Sequence, residues 1–256
     1  MIIYVVVKIY YRGDKMIKYM EGTVFNAPVK TYVNTVNCSG VMGAGIALEF
    51  KLRYPEMYQQ YVEQCNNKKI KIGIPRIYEF SDRIWIMNFP TKGHWRFPSK
   101  MVWIEEGLKY FVQNYKKRNI ESIAFPKLGT NNGGLNWDEV KILMEKYLDN
   151  LDINVYICLD EKKEAEGIEK EMVDMLNRLT LERINTEIKI SNKQSELIFS
   201  NLPCERLWHI SKVNKITKDT YEKLFTYLYE RTEGYARLIQ NQKNNDIDKG
   251  EQLSLF

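Results

Sequence analysis

Through the first 160 residues, short apolar runs rich in β-branched and aromatic residues alternate with segments whose apolar positions recur every three or four residues. Tyr32 to Val36, Ile84 to Asn88, Ser122 to Phe125 and Asn154 to Leu159 have the composition of buried strands. Ile46 to Tyr54, Pro55 to Gln64, Met101 to Tyr115 and Trp137 to Asp149 have the period of amphipathic helices. In the third of these, Val102, Leu108, Phe111, Val112 and Tyr115 are expected to share a buried face. Strands alternating with helices predict a three-layer α/β domain, in which ligands sit at the carboxyl ends of the strands.

The pattern changes at Asp160, where "DEKKEAEGIEKE" replaces the strand with a charged run. Ile168, Met172, Met175, Leu176 and Leu179 then recur at helical spacing. Asp219 is a candidate cap for a later helix with the stripe Tyr221, Leu224, Phe225, Leu228 and Tyr229. The expected organisation is an α/β domain over 1–160, with its core from about residue 16, a small mainly helical domain over 161–240 and a polar tail over 241–256. The opening apolar run Met1 to Tyr11 is interrupted by Lys8, is far shorter than a membrane span and precedes no small-residue cleavage site. It reads as an extra strand or an upstream extension, and no membrane partner is expected.

Composition adds little beyond this. With 44% hydrophobic residues in 256, the chain can bury a sizeable core. Cys38, Cys65, Cys158 and Cys204 are widely spaced and contain no CxxC pair, which argues against a zinc site or a disulfide framework and fits a reducing cytoplasm. No His/Asp/Glu/Cys cluster has ligand spacing, so neither metal nor cofactor is expected. The net charge of +5 divides into +6 up to Asp160 and −1 beyond it. That excess suits a polyanionic partner such as nucleic acid, and equally a solvated basic surface.

Two glycine-rich loops carry the first chemical signal. "GVMGAGIA" has glycines at 40, 43 and 45 just before a helix. The backbone there can take positive φ and offer unpaired N–H groups to an anion. The loop matches neither the P-loop nor the dinucleotide fingerprint. "FPKLGTNNGGLNW", residues 125 to 137, repeats the device with Gly129, Gly133 and Gly134. Two such loops after strands could close on the two phosphates of one diphosphate. A third stretch, "HWRFPSKMVW", sets cations among aromatics, so Arg96 and Lys100 can meet phosphates while Trp95 or Phe97 stacks on a base. The same aromatics could instead pack beneath their own loop.

"VNTVNCSGVMGAGIALEFKLRYPEMY", "NFPTKGHWR" and "FPKLGTNNGGLNW", in this order, resemble the macrodomain family, the ADP-ribose-binding fold, over roughly Met16 to Asp160. Within it they resemble the DarG-type macrodomains, antitoxins that remove ADP-ribose from DNA bases and are paired with DarT toxins. The resemblance implies a three-layer fold with a central mixed sheet, and hydrolysis of the N-glycosidic bond between ADP-ribose and a base of single-stranded DNA, thymidine ahead of guanosine. It makes Lys92 the catalytic amine and Asn37 the residue that orients the distal ribose. It assigns ADP-ribose binding to Thr23, Val24 and Asn34, to Gly43, Ala44, Gly45 and Ile46 around one phosphate, and to Pro126, Leu128, Gly129, Thr130, Asn131, Asn132 and Gly133 around the other. His94, Trp95 and Arg96 would meet the DNA. His94, Arg96 and Lys127 near Lys92 would lower its pKa.

Two positions depart from the family pattern. Gly133 stands where the terminal ADP-ribose glycohydrolase branch, which the chain also resembles and which deacylates protein carboxylates, supplies an Asp, and this favours the DNA-directed relatives. Thr23 stands where many macrodomains have an adenine-reading Asp, with Glu21 a poor substitute. Two other readings compete: an ADP-ribose-binding module without turnover, and direct neutralisation of a cognate DarT-like toxin through residues 161–256.

Overall fold

The structure, a computed structural model, describes residues 17–240; the run Met1 to Tyr11 and the tail 241–256 lie outside the described residues. Between Glu161 and Lys162 the chain divides into two compact units. The first is built on six strands, β1 (Ile17–Met20), β2 (Thr31–Asn37), β3 (Arg76–Ser81), β4 (Ile84–Lys92), β5 (Ser122–Pro126) and β6 (Asn154–Cys158), in the order β1-β6-β5-β2-β4-β3. Every neighbouring pair is parallel except β3 with β4, so the sheet is mixed. Its helices are α1 (Gly45–Arg53), α2 (Pro55–Asn66), α3 (Met101–Asn114) and α4 (Trp137–Leu148).

Parallel strands covered on both faces must be apolar on both, and β5 shows it: Ile123, Ala124 and Phe125 are all fully buried. One face packs on α3 and α4 through Val33, Phe89, Ile104, Leu108, Phe111, Val140 and Met144. The other packs under α1 and α2, where Leu48, Phe50, Met57 and Tyr61 are buried. Here the sheet contributes polar groups: Asn34 Nδ2 donates to Asn88 Oδ1 at 2.9 Å, and Asn88 Nδ2 lies 3.5 Å from Met57 Sδ. The β2–β4 ladder shifts register near its end, so Val36 pairs with Pro90 but Asn37 with Lys92. Thr91 is the surplus residue, its hydroxyl 3.4 Å from the Val36 carbonyl.

Two expectations change. Val102 is 51% exposed and Val112 only half-buried, whereas Leu108, Phe111 and Tyr115 are buried as expected, with Ile104 and Gly107 completing the buried face of α3. The sequence pattern also lacked β1 and β3. β3 is an edge strand without a fully buried residue, so it carries no apolar run to read.

The second unit contains α5 (Gly167–Leu176), α6 (Leu181–Ile188), α7 (Asn192–Phe199), α8 (Leu207–Ile210) and α9 (Lys218–Tyr229). Met172, Leu176, Leu179, Leu224, Phe225 and Leu228 fill its core. Within it Arg206, 4% exposed, pairs with Glu169 at 2.9 Å. The cap of α9 is Thr217, whose Oγ1 accepts from Thr220 N at 3.1 Å. Asp219 lies inside the first turn and pairs with Lys223, so it does not cap the helix.

Candidate functional site

Three connections leave the sheet at the carboxyl ends of adjacent parallel strands: 38–44 after β2, 93–100 after β4 and 127–136 after β5. The register shift sets Asn37 and Lys92 opposite one another at the ends of their strands. Asn37 is buried and its carboxamide shapes the first loop. Nδ2 donates to Val41 O at 2.6 Å, while Oδ1 accepts from Ser39 N at 3.0 Å and Ser39 Oγ at 2.8 Å. Tyr61 donates to the Asn37 carbonyl at 2.6 Å, an anchor from α2 that the sequence motif does not reveal.

The loops meet at Asn132. A Cβ on Gly45 would lie 2.8 Å from Asn132 Nδ2, and Lys92 Nζ donates to the Asn132 carbonyl. Ser39 Oγ accepts from Trp95 N at 3.4 Å, and Ser99 N donates to Gly133 O at 2.9 Å. Gly45 and Gly129 sit at φ +57° and +66°, conformations that disfavour a side chain. Gly43, expected to share that freedom, is not among the residues with positive φ; in the first loop Gly40 and Gly45 are. Gly133 is required for a different reason. A Cβ there would lie 2.1 Å from Gly129 O and 2.5 Å from Ser99 Oγ, so a carboxylate-bearing residue does not fit this loop as it stands. Ser99, absent from the sequence reading, is buried beneath the loop with its hydroxyl unpartnered.

Lys92 is held below the ordinary lysine pKa, and the cause is burial alone. The expected cationic neighbours do not contribute; Lys127 is engaged with Glu161 at 3.0 Å. Burial raises the fraction of free amine without placing a second charge in the site. The Cys38 thiol beside Asn37 is pushed up to about 11 by burial, which keeps it protonated and poorly nucleophilic near neutral pH.

The remaining candidates separate by depth. Ala44 and Gly45 are exposed at the start of α1, which has no side-chain cap, and Ile46 is half-buried. Asn131 and Asn132 are exposed, Pro126 is half-buried, and Thr130 is buried with its hydroxyl donating to Lys127 O at 3.1 Å. Leu128 belongs to the core under α3 and α4, so only its backbone belongs to the loop. Val24 is buried, and Thr23 Oγ1 donates to Asn26 Oδ1 at 2.9 Å. Asn34 has no exposed surface; it supports the first loop from below, 3.8 Å from Met42 Sδ, with its Oδ1 unpartnered. Trp95 and Phe97 are 45% and 64% exposed and do not pack beneath their loop. The His94 ring stacks on Trp95 at 5.8 Å, and the Arg96 guanidinium lies 4.8 Å from the Trp95 ring centre. Among the described residues no His/Cys/Asp/Glu group is placed to hold a metal, and no helix is long and apolar enough to cross a membrane.

Crossover-linked parallel strands carry two glycine loops that meet at their carboxyl ends with an amine between them, and comparison with known proteins places this architecture. The family model of the macro domain matches residues 33–144. The solved macrodomain of Thermus aquaticus DarG superposes with a TM-score of 0.54 at 42% identity, covering 56% of this chain and 97% of that one. The chain belongs to the macrodomain family. Its relatives include the DNA ADP-ribosyl glycohydrolase of Thermus aquaticus, 44% identical over 140 residues that cover 54% of this chain and 39% of the relative. That of Mycobacterium tuberculosis is 40% identical over 160 residues, covering 60% of this chain and 46% of the relative. A solved Thermosipho africanus DarTG in complex with ADP-ribose gives a TM-score of 0.55 at 36% identity, covering 60% of this chain and 44% of that one. The chain thus spans less than half the length of these curated relatives.

Proposed function

We propose that this protein is a DNA ADP-ribosyl glycohydrolase that returns ADP-ribosylated single-stranded DNA to its unmodified form, thymidine being the favoured base and guanosine the second. The observation that carries the reading is the convergence of Lys92, Gly45 and Asn132, which puts an amine at the seam of two phosphate-cradling loops. The glycine loops hold the diphosphate of ADP-ribose, and binding energy from that remote end aligns the scissile bond. Asn37 shapes the loop over the distal ribose. The Lys92 amine engages the anomeric carbon in one of two ways. As a nucleophile, it forms a C–N bond while the bond to the base breaks, the base nitrogen takes a proton, and water then releases ADP-ribose and regenerates the amine. As a proton carrier, it serves water attack directly. The net change is the same: water is consumed, and unmodified DNA and ADP-ribose are formed.

His94, Trp95 and Arg96, next along the chain, give the DNA strand a stacking face and a phosphate contact. The relatives' names support an antitoxin role beside a DarT-like toxin, with residues 161–256 as the candidate toxin contact. All four cysteines are free, in keeping with a cytoplasmic protein. The competing reading, an ADP-ribose binder without turnover, is favoured by the engagement of both Asn37 and Lys92 with the loops themselves. The experiment is incubation of the protein and its Lys92→Ala variant with single-stranded DNA ADP-ribosylated separately on thymidine and on guanosine. Release of ADP-ribose by the wild type alone supports the glycohydrolase and identifies the base. Binding by both proteins with release by neither leaves a reader.

A further inference from the structure

The second unit carries a feature that the glycohydrolase reading does not use. α6 ends at Ile188, a three-residue turn of Lys189, Ile190 and Ser191 follows, and α7 begins at Asn192. Lys189 takes the left-handed conformation at φ 57°, ψ 50°, the role glycine often fills in such turns. Ser191 caps α7 by accepting from Gln194 N at 3.4 Å. The helices touch through small polar groups, Ser195 Oγ lying 3.4 Å from Asn185 Oδ1, while Ile184, Ile188, Ser195 and Ile198 are all buried. α9 packs on α6. One side of α7 is therefore fixed, and Asn192, Lys193 and Glu196 remain exposed on the other.

The distribution of charge around α7 is uneven. Seven cations of this unit are neutralised by a carboxylate one helical turn away or, for Arg206, by Glu169. Lys189, Lys193, Lys212 and Lys215, like Lys163 and Arg178, are exposed and form no ion pair among the described residues. Lys189 is in the turn and Lys193 in the first turn of α7. The segment bearing Lys215 is tied beside that turn by Gln194, whose Nε2 donates to Lys215 O at 2.9 Å and whose Oε1 accepts from Thr217 N at 3.1 Å. Lys212 lies three residues before it. Free cations flanking the exposed start of the second helix complement a phosphate backbone on either side of a groove.

We propose that α6 and α7 form a helix-turn-helix that seats α7 in the major groove of double-stranded DNA. Lys189, Lys193, Lys212 and Lys215 meet phosphates, and Asn192 and Glu196 face base edges, where an amide can pair with adenine and a carboxylate can accept from cytosine. This site is independent of the glycohydrolase chemistry and gives the chain a duplex-binding activity suited to control at a DNA site.

The test is fluorescence anisotropy of the full chain with an unmodified random-sequence duplex of about three helical turns and with a single strand of the same length. Four phosphate contacts give a salt slope of about −3.6, so duplex affinity should fall by about two orders of magnitude between about 50 and 200 mM salt. The double variants Lys189→Glu/Lys193→Glu and Lys212→Glu/Lys215→Glu should each weaken duplex binding at least about tenfold, with helical circular dichroism and ADP-ribose release unchanged. Lys163→Glu/Arg178→Glu, an equal charge change at exposed cations outside α6, α7 and their turn, should leave duplex binding intact. Absence of duplex binding at the lower salt, or duplex binding that survives both double reversals, overturns the proposal. Loss of toxin binding in these variants, without any duplex binding by the wild type, assigns the face to a protein partner instead and also overturns it.

Discussion

Replacing Gly133 by Ala adds one methyl group where the second glycine loop has no room. The new Cβ would stand 2.1 Å from Gly129 O and 2.5 Å from both Gly129 C and Ser99 Oγ. A tolerable contact needs about 3 Å, so the loop must yield by roughly 1 Å. It cannot yield inward. Gly129 is already boxed in, its own missing Cβ position lying 2.9 Å from Leu135, 3.1 Å from Ile104 and 3.2 Å from Ser99. The loop therefore moves outward, into the space assigned to the diphosphate. Displacing one backbone N–H from a phosphate oxygen by that distance forfeits a charge-assisted hydrogen bond of about 1.5–3 kcal/mol. The expected loss of ADP-ribose affinity is about tenfold to a hundredfold. Titration calorimetry with ADP-ribose measures it, and thermal unfolding should show an overpacking cost of about 1–3 kcal/mol. A Gly133→Ala protein that binds ADP-ribose within about twofold of wild type would refute the argument, since the loop would then not be held where the ligand needs it. Gly133→Asp, which supplies the carboxylate of the protein-deacylating branch, should lose ADP-ribose binding and gain no activity on protein carboxylates.

Burial lowers the Lys92 pKa, so the free amine grows in as pH rises through a value below that of an exposed lysine. ADP-ribose release should show a rising basic limb in that range if the amine attacks, and Lys92→Arg, which keeps its proton, should be as inactive as Lys92→Ala while still binding ADP-ribose. Asn37→Ala leaves Val41 O and the Ser39 donors without their partner, and chemical denaturation should register a loss of about 1–3 kcal/mol together with weaker ADP-ribose binding. Glu169→Gln uncouples the buried Arg206; hydrogen exchange should show the second unit destabilised by about 3–5 kcal/mol while ADP-ribose release persists, and a uniform effect on both units would contradict their independence.

The sheet was legible wherever a strand is covered on both faces, because such strands advertise themselves as β-branched and aromatic runs; β2, β4, β5 and β6 are of this kind. β3, with no fully buried residue, left no such mark, and its place is set by pairing with β4 rather than by its own pattern. The glycine loops were legible as motifs, but the reason for each glycine was not. Gly45 answers to a dihedral angle and Gly133 to the proximity of Gly129 and Ser99, and the latter depends on residues 34 positions apart in the chain. The depressed pKa of Lys92 was expected from cationic neighbours and comes from burial, since side-chain pairing such as that of Lys127 with Glu161 is invisible before the fold is known. The turn between α6 and α7 was hidden because its left-handed residue is Lys189, which carries no glycine signature.

Thr91 acts as a spacer. Had the β2–β4 ladder run on evenly past Val36 and Pro90, Asn37 would face Thr91 and Lys92 would stand one residue, about 3.3 Å, further out. The surplus residue takes up that length, so the amine and the loop that Asn37 shapes come level. The position of the Lys92 amine is thus fixed by the count of residues along two neighbouring strands as much as by their identity. A further residue inserted between Pro90 and Lys92 would put the amine out of phase with Asn37 while leaving every side chain of the site present.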